Sequence, residues 1–489
     1  MDILKAEKTT ETSVEKTSEK KRAEEGELQH GGLMERLARV KTSRWIRFGL
    51  VSAVFFAWVA WLGNWWVALA WFLLADIYLT QFIPWTWWRH SKSKVTRTVM
   101  GWVDAIVYAL VLVYFLFLFV GQNYQIPSSS LEKTLLTGDF LWVNKMVYGP
   151  RVPQTPLHFP LTQNTLPWLN CKSYIEHPQL AYHRLKGLRS VERGDIVVFN
   201  FPAGDTVATR CPNPDYYTLC YERGAAVVKG NKELYGDIIY RPVDRRDNYV
   251  KRCVGLPGET LAIKGGVIHI NGVPQPQPEN VQFFYWVQTD GTGITIDMFE
   301  KLGISVEDRH LVQDAGSASG LNYVLPLTAT MKAELEAKPW VKSVERMVPD
   351  EGESKITYPV GEDFGWTHQD YGPVIIPKKG MTVKLSPMNI ALYARCIKNY
   401  EGNNLEVRDG KAIINGRPAD TYTFAMDYYW MMGDNRDNSL DSRYWGFVPE
   451  DHIVGTPMIV LISFNKDKPL LSGGIRWNRI FKMPNPDKK

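Results

Sequence analysis

A serine hydroxyl attacks a carbonyl only when a neighbouring group takes its proton, so candidate chemistry is found by pairing serines with a base. Two stretches stand out. QIPSSSLEKTLL, from Gln125 to Leu136, sets Pro127 and three serines directly after the last long apolar run. KRCVGLPGE begins at Lys251, about 120 residues later. Histidine is the usual base, but none of the nine histidines lies in a segment flanked like an active site. Lysine serves only when neutral, and at its reference pKa roughly one in a few thousand is neutral at pH 7. Burial among apolar neighbours lowers that pKa. Lys251 follows Tyr249-Val250 and precedes Cys253-Val254, so its strand neighbours are apolar. Lys133 is nearer to Ser130 but stands between Glu132 and Thr134 and reads as solvated. The pairing these features favour is Ser130 as nucleophile and Lys251 as base. Taken singly, each stretch is ordinary: serines after proline make turns, and GDNRDNS from Gly433 fits an Asx-turn loop.

The elements that must position these residues begin with a membrane region. Phe48 to Leu62 is apolar but short, and Trp65 to Ile83 is longer and carries Asp76. Gly63-Asn64 between them gives a turn, so the pair reads as a tight helical hairpin that crosses the bilayer or dips into it. Val99 to Gly121, with Asp104 near its start, is long enough to span. Basic residues at Lys41, Arg44 and Arg47, and again at Arg89, His90, Lys92, Lys94 and Arg97, mark the cytoplasmic side. Everything after Gly121 is then expected outside. Residues 1–44 read as a polar, largely disordered cytoplasmic tail with a short helix near Leu33 to Val40, and residues 45–121 as the transmembrane region. The first apolar segment begins too late for a cleavable signal peptide.

At 489 residues the chain exceeds one ordinary domain. Its 57 basic and 52 acidic residues leave +5, too weak a balance to suggest nucleic acid. Five cysteines are too few for a disulfide-built fold; Cys211 and Cys220 are close enough to close a small loop, and unpaired thiols are the equal alternative. There is no HExxH and no CxxC, so neither a metal nor another cofactor is indicated. From Ile126 the texture is that of short strands: DFLWVNKMVYG, GDIVVFNF and TLAIKGGVIHING are rich in β-branched and aromatic residues and bounded by Gly, Asn or Asp. The expected fold is mainly β, an antiparallel catalytic domain over 122–274 and 391–489. GGVIHINGVP and DGKAIINGRP read as one hairpin used twice, with Asn-Gly as the turn. The interval 275–390, with helix-like MKAELEA from Met331 and loop-like GSASG from Gly316, is expected to be an inserted cap or accessory domain. A short basic tail closes the chain.

In the same order along the chain, QIPSSSLEKTLLTGD, the RGDIVVF segment from Arg193, YVKRCVGLPGE and GDNRDNSLDSRYWG resemble the boxes of bacterial type I signal peptidases. The resemblance implies a serine endopeptidase in the bacterial cytoplasmic membrane, with its catalytic domain on the periplasmic side and its N-terminus inside. Its implied partners are exported preproteins and membrane lipid, close to the secretion translocon. Matched by position, Ser130 resembles the nucleophile and Lys251 the general base, while Ser128 and the Ser130 backbone N–H resemble the oxyanion donors. Ser439 would hydrogen-bond the lysine, Asp441 would form an ion-pair cluster with Arg443 and Arg252, and Gly433 fits a close backbone approach. A signal peptide would add as an extended strand. Shallow pockets lined by Ile126, Leu131, Leu135 and Val250 would admit Ala at A-x-A sites.

The family usually carries Met after the nucleophile and Pro two positions later, where this chain has Leu131 and Lys133. Cys253 stands where Ala is common. A membrane-tethered β scaffold that binds peptides or envelope partners without chemistry is the alternative. It accounts for spans and strands but not for the Ser, Lys and GDNRDNS segments together.

Overall fold

The computed structural model describes residues 33–63, 65–167, 169, 171–312, 320–349, 352–470 and 472–484. Residues 1–32 of the polar tail, Asn64 of the expected turn, Gly316 to Ser319 of the GSASG loop and the last five residues lie outside the described residues. The chain divides into two units, one ending at Tyr114 and one beginning at Phe115.

In the first unit a short helix, Leu33–Ala38, precedes the helix Thr42–Leu62. The apolar letters begin at Phe48, but the preceding Thr-Ser-Arg-Trp-Ile-Arg run is already helical. The helix therefore reaches 21 residues, about 31 Å at 1.5 Å per residue, the apolar depth of a bilayer. The first segment is thus not short, as its apolar letters suggested; the flanking polar residues extend it. Gly63, at φ 68°, ends it in the left-handed region. The second apolar segment is the shorter helix. It passes through 3₁₀ (Trp65–Ala70), α (Trp71–Ala75) and π (Asp76–Thr80) turns and stops at Gln81. It packs back on the first helix, Phe48 against Trp71 at 5.5 Å between ring centroids, with Trp71 Nε1 donating to Ser52 Oγ at 2.9 Å. Asp76, costly in an apolar segment unless its oxygens are occupied, accepts from Phe82 N, Ile83 N, Trp85 Nε1 and the Thr80 hydroxyl. A second helix long and apolar enough to cross a membrane runs from Lys94 to Val120.

The second unit is built on a seven-stranded antiparallel sheet. Its strands are β1 (Gly121–Gln125), β2 (Asp139–Asn144), β3 (Ile196–Asn200), β4 (Asn248–Gly255), β5 (Tyr428–Met432), β6 (Val448–Pro449) and β7 (Ile453–Ser463), in spatial order β1-β2-β7-β3-β4-β5-β6. Alternation in DFLWVN buries Asp139, Leu141 and Val143 on one face of β2, whereas IVVFN in β3 is buried throughout, as a central strand requires. Apolar clusters form about the sheet: Ile126, Leu131, Leu135, Leu141, Val198 and Val460 in one, and Val197, Phe199, Cys253, Met431 and Trp445 in another. The β3–β4 register pairs Val197 with Lys251 and Val198 with Val250, so the lysine lies in the sheet interior.

The two hairpins read as repeats are repeats. Val267–Ile270 turns through Asn271 (φ 51°) and Gly272 (φ 82°), and Lys411–Ile414 through Asn415 (φ 51°) and Gly416 (φ 79°), the pair of positive φ angles that a type I′ turn demands. The interval 275–390 holds more than one core. Strands Phe283–Thr289, His310–Val312, Asn322–Leu327 and Val341–Arg346 form a four-stranded sheet with helices Ile296–Leu302 and Ala329–Glu336. Val287, Phe299, Leu325, Leu327 and Leu335 make its own apolar cluster. Tyr358, Trp366, Tyr371 and Ile376 instead pack with Val254, Leu261 and Trp430. Cys211 and Cys220 are free thiols beside the small Leu219–Val228 cluster.

Because the 283–346 sheet has its own core, Leu335→Ala is expected to cost about 2–5 kcal/mol there. Amide hydrogen exchange should accelerate in Asn322–Leu327 and leave β3 and β4 protected; acceleration in both sheets would show one shared core.

Candidate active site

Lys251 is brought to the serines by register. β4 runs through the middle of the sheet, and Ser130 stands in a tight turn after β1, closed by Glu132 N to Ser129 O at 2.9 Å and Leu135 N to Leu131 O at 2.8 Å. Leu131 and Leu135 drive that turn, since both are fully buried in the core beneath it. Lys251 Nζ lies 2.5 Å from Ser130 Oγ, and the two residues are only 4% and 9% exposed. Burial pushes the Lys251 ammonium down to about 8; Asp441 opposes the shift, Arg443 reinforces it and Asp434 opposes it. A lysine so placed is neutral in a large fraction at mildly alkaline pH, and its partner is a hydroxyl.

A groove of about 540 Å³ opens on the pair, lined by Ile126, Ser128, Ser130, Val250, Lys251 and Ser439 among others. Ile126 and Val250 therefore stand where the sequence reading put them, and Ser128 is exposed along the same groove. Leu131 and Leu135 do not line it. Their side chains are spent on the core that holds the serine turn, which removes them from direct contact with anything in the groove.

The loop after β5 supports both residues. A Cβ on Gly433 would sit 2.3 Å from Ser439 Oγ and 2.5 Å from Ser130 O, so only glycine permits this approach. Gly433 N donates to Asp441 Oδ2 at 3.0 Å, and Arg443 pairs with both Asp441 oxygens, at 2.8 and 2.7 Å, in a fully buried ion pair. Arg252 does not join that pair. It reaches Asp434 with two bonds, at 2.8 and 2.7 Å, because adjacent residues of a strand point to opposite faces. Ser439 Oγ is buried with no hydrogen-bond partner among the described residues, and the expected bond to Lys251 is not made.

Several holding residues were missed in the sequence. Asp434 also accepts from Thr134 Oγ1 at 2.7 Å, tying the serine turn to the Arg252 pair. Asn435 donates from its backbone to Ser130 O (3.1 Å) and from its side chain to Ser129 O (3.3 Å), and Asn438 Nδ2 donates to Ser129 Oγ at 3.2 Å. The density of Asn and Asp in GDNRDNS was the available signal, since such side chains bond to backbone at short range. Arg193 and Gly194 of the second box act at one remove: Gly194 O accepts from Arg252 Nη1 at 2.9 Å, and Arg193 pairs with Glu259. Cys253 is fully buried, and burial pushes its thiol up, away from the reactive thiolate. Among the described residues no cluster of His, Cys, Asp and Glu could hold a metal ion.

The chain matches the family described as signal peptidase, peptidase S26, over residues 99–285 and 420–462. The interruption covers most of the 283–346 sheet and the chain that follows it. Signal peptidase I of Buchnera aphidicola subsp. Baizongia pistaciae is 24% identical over 397 residues, 80% of this chain and 86% of that protein. Signal peptidase I of Haemophilus influenzae is 24% identical over 393 residues, 80% of this chain and 77% of that one. Signal peptidase I of Helicobacter pylori strain 26695 reaches 42%, over 65 residues that make up 12% of this chain and 22% of its own. An antiparallel β unit following apolar helices, with this order of boxes, defines a membrane-associated peptidase. Over residues 99–285 and 420–462 the chain is similar to the signal peptidase family, peptidase S26, and the comparisons support a type I signal peptidase.

Gly433→Ala must displace the Ser130 carbonyl, and a shift of about 1 Å in a reacting group costs on the order of 100-fold. Labelling of Ser130 by a serine-acylating reagent is expected to slow by about that factor while far-UV circular dichroism stays unchanged. An unaltered labelling rate would remove Gly433 from the site.

Proposed function

We propose that this chain is a membrane-anchored serine endopeptidase that removes signal peptides from exported preproteins, with Ser130 as nucleophile and Lys251 as general base. The single observation that carries the reading is the 2.5 Å approach of a buried Lys251, whose burial lowers its pKa, to Ser130 Oγ in an open groove. Neutral Lys251 Nζ takes the Ser130 proton as Oγ attacks the scissile carbonyl. The oxyanion is met by the Ser130 N–H and the Ser128 hydroxyl, each such donor contributing about 10²–10³ in rate. The lysinium then protonates the leaving amine, and neutral Lys251 next deprotonates the water that hydrolyses the acyl-enzyme. Asp441–Arg443 and Arg252–Asp434 hold the base and the turn rather than exchange protons. Their role is positioning.

Substrate recognition follows from the same groove. An extended segment entering it would lie along Ile126 to Ser128 and Asn248 to Lys251, and the Ile126 and Val250 side chains leave room for small residues such as those of A-x-A sites. Ser130 stands ten positions after the end of the long helix at Val120, about 35 Å of chain at full stretch. This tether supports cleavage close to a bilayer. The basic residues near both ends of the first membrane segments support an inside N-terminus and a catalytic unit on the outer face of the cytoplasmic membrane.

Ser130→Ala and Lys251→Met are each expected to lower cleavage of an Ala-x-Ala preprotein by at least about 10²–10⁴-fold, with the melting profile unchanged. Full activity in either variant would sink the dyad. The cleavage rate of the parent should rise with pH through a midpoint near 8, because only the unprotonated lysine is a base and its burial sets that midpoint. A flat profile between about pH 6 and 10, spanning the depressed and ordinary lysine pKa, would exclude a titrating lysine.

A further inference from the structure

Lys133, which reads as solvated between Glu132 and Thr134, is not a solvated side chain. Its backbone is at φ 70°, a left-handed conformation closed to proline, whose ring holds φ near −65°. From there its Nζ donates to Leu302 O at 2.8 Å and Gly303 O at 2.6 Å. These carbonyls end the helix Ile296–Leu302 of the 283–346 sheet, whose preceding carbonyls, Phe299 and Glu300, are already taken by the Gly303 N–H. A helix C-terminus carries partial negative charge and unpaired acceptors. Lys133 supplies the cation.

The other contacts between this sheet and the serine side of the catalytic unit are weaker. Lys468–Glu300 and Lys466–Glu307 are exposed ion pairs, a type that contributes about 0–1 kcal/mol. On the opposite flank the sheet is pinned to the GDNRDN loop by Gln282 N to Asp434 O (2.9 Å), Arg436 N to Gln282 O (2.9 Å) and Phe284 N to Asp437 Oδ2 (2.7 Å). The sheet thus grips the catalytic pair from two sides. One grip is on the loop that carries Gly433 and Asp434, and the other is three residues after Ser130. Thr134, next to Lys133, is held by Asp434 from the core side. The turn is fixed between them.

We infer that Lys133 is a positioning residue for Ser130, through which the C-terminus of the 296–302 helix holds the nucleophile turn in register with Lys251. This rests on the Ser130–Lys251 reading. The inserted sheet then serves catalysis by bracing the turn, and the positive φ at Lys133 is maintained by the two carbonyl bonds.

The test uses the full chain in detergent, a fluorogenic Ala-x-Ala peptide and active-site titration with a serine-acylating reagent. Lys133→Met is expected to lower kcat per titrated site about tenfold, a fraction of the cost of a 1 Å displacement, with KM changed less than about twofold. Lys133→Arg, whose guanidinium can reach both carbonyls, should recover most of the loss. Lys468→Met, which breaks only an exposed pair, should match the parent. An unchanged kcat per titrated site in Lys133→Met, a change confined to KM, or no recovery with Arg overturns the inference. A Ser130→Ala protein as active as the parent overturns the dyad beneath it, whereas an essential Ser130 with a silent Lys133→Met overturns this inference alone.

Discussion

Taking an ammonium out of water is the physical constraint on which this catalytic unit turns. A lysine buried in the middle of a sheet costs several kcal/mol if it stays charged, and the protein meets that cost by lowering its pKa and setting a hydroxyl against it. The charged groups close by are arranged so that none is stranded. Arg252 and Arg443, which would raise the cost further, are each committed to a carboxylate, Asp434 and Asp441. Burial pulls both carboxylates upward, but those arginines outweigh it and hold them below their usual pKa. The pairs are therefore ionised whenever the protein is folded near neutrality, and Lys251 is left as the group free to titrate.

The same pairs carry geometry. Asp434 joins Arg252 of β4 to Thr134 of the serine turn, and Asp441 joins Arg443 to the Gly433 N–H. Gly433 lies against Ser130 O, so the distance between Ser130 and Lys251 is set by a chain of buried hydrogen bonds. A third layer continues outward. His368 bridges Asp437 and Glu353, and those carboxylates hold its imidazole above its usual pKa even though burial pulls the other way. The GDNRDN loop is thus braced by residues far from it in sequence, including the 283–346 sheet that interrupts the family match.

Much of the catalytic unit was legible in the residues. The β-branched and aromatic runs DFLWVN and IVVFN reported strands, and Asn-Gly reported two hairpin turns, because these patterns follow from local backbone sterics. The two packed apolar helices before residue 81 were legible too. The length of the first was not, since polar residues at its start carry no hydropathy signal. The partner of Arg252 was misassigned to Asp441, because a choice between two nearby aspartates depends on which face of β4 the side chain leaves. The pocket roles of Leu131 and Leu135 failed for a related reason: apolar letters beside a nucleophile look alike whether they face a groove or a core.

By itself the sequence determined the ingredients: apolar helices, an antiparallel β unit, and a serine and a lysine in settings that suit a nucleophile and a base. Local chemistry decides such things, and short windows of residues contain it. Only the tertiary structure decided that Lys251 Nζ and Ser130 Oγ meet at 2.5 Å, since that distance depends on the register of β3 and β4 and on a glycine far along the chain. It also decided the fate of Lys133. A charged residue between Glu132 and Thr134 reads as solvated until a helix end from another sheet, remote in sequence, arrives to accept its hydrogen bonds.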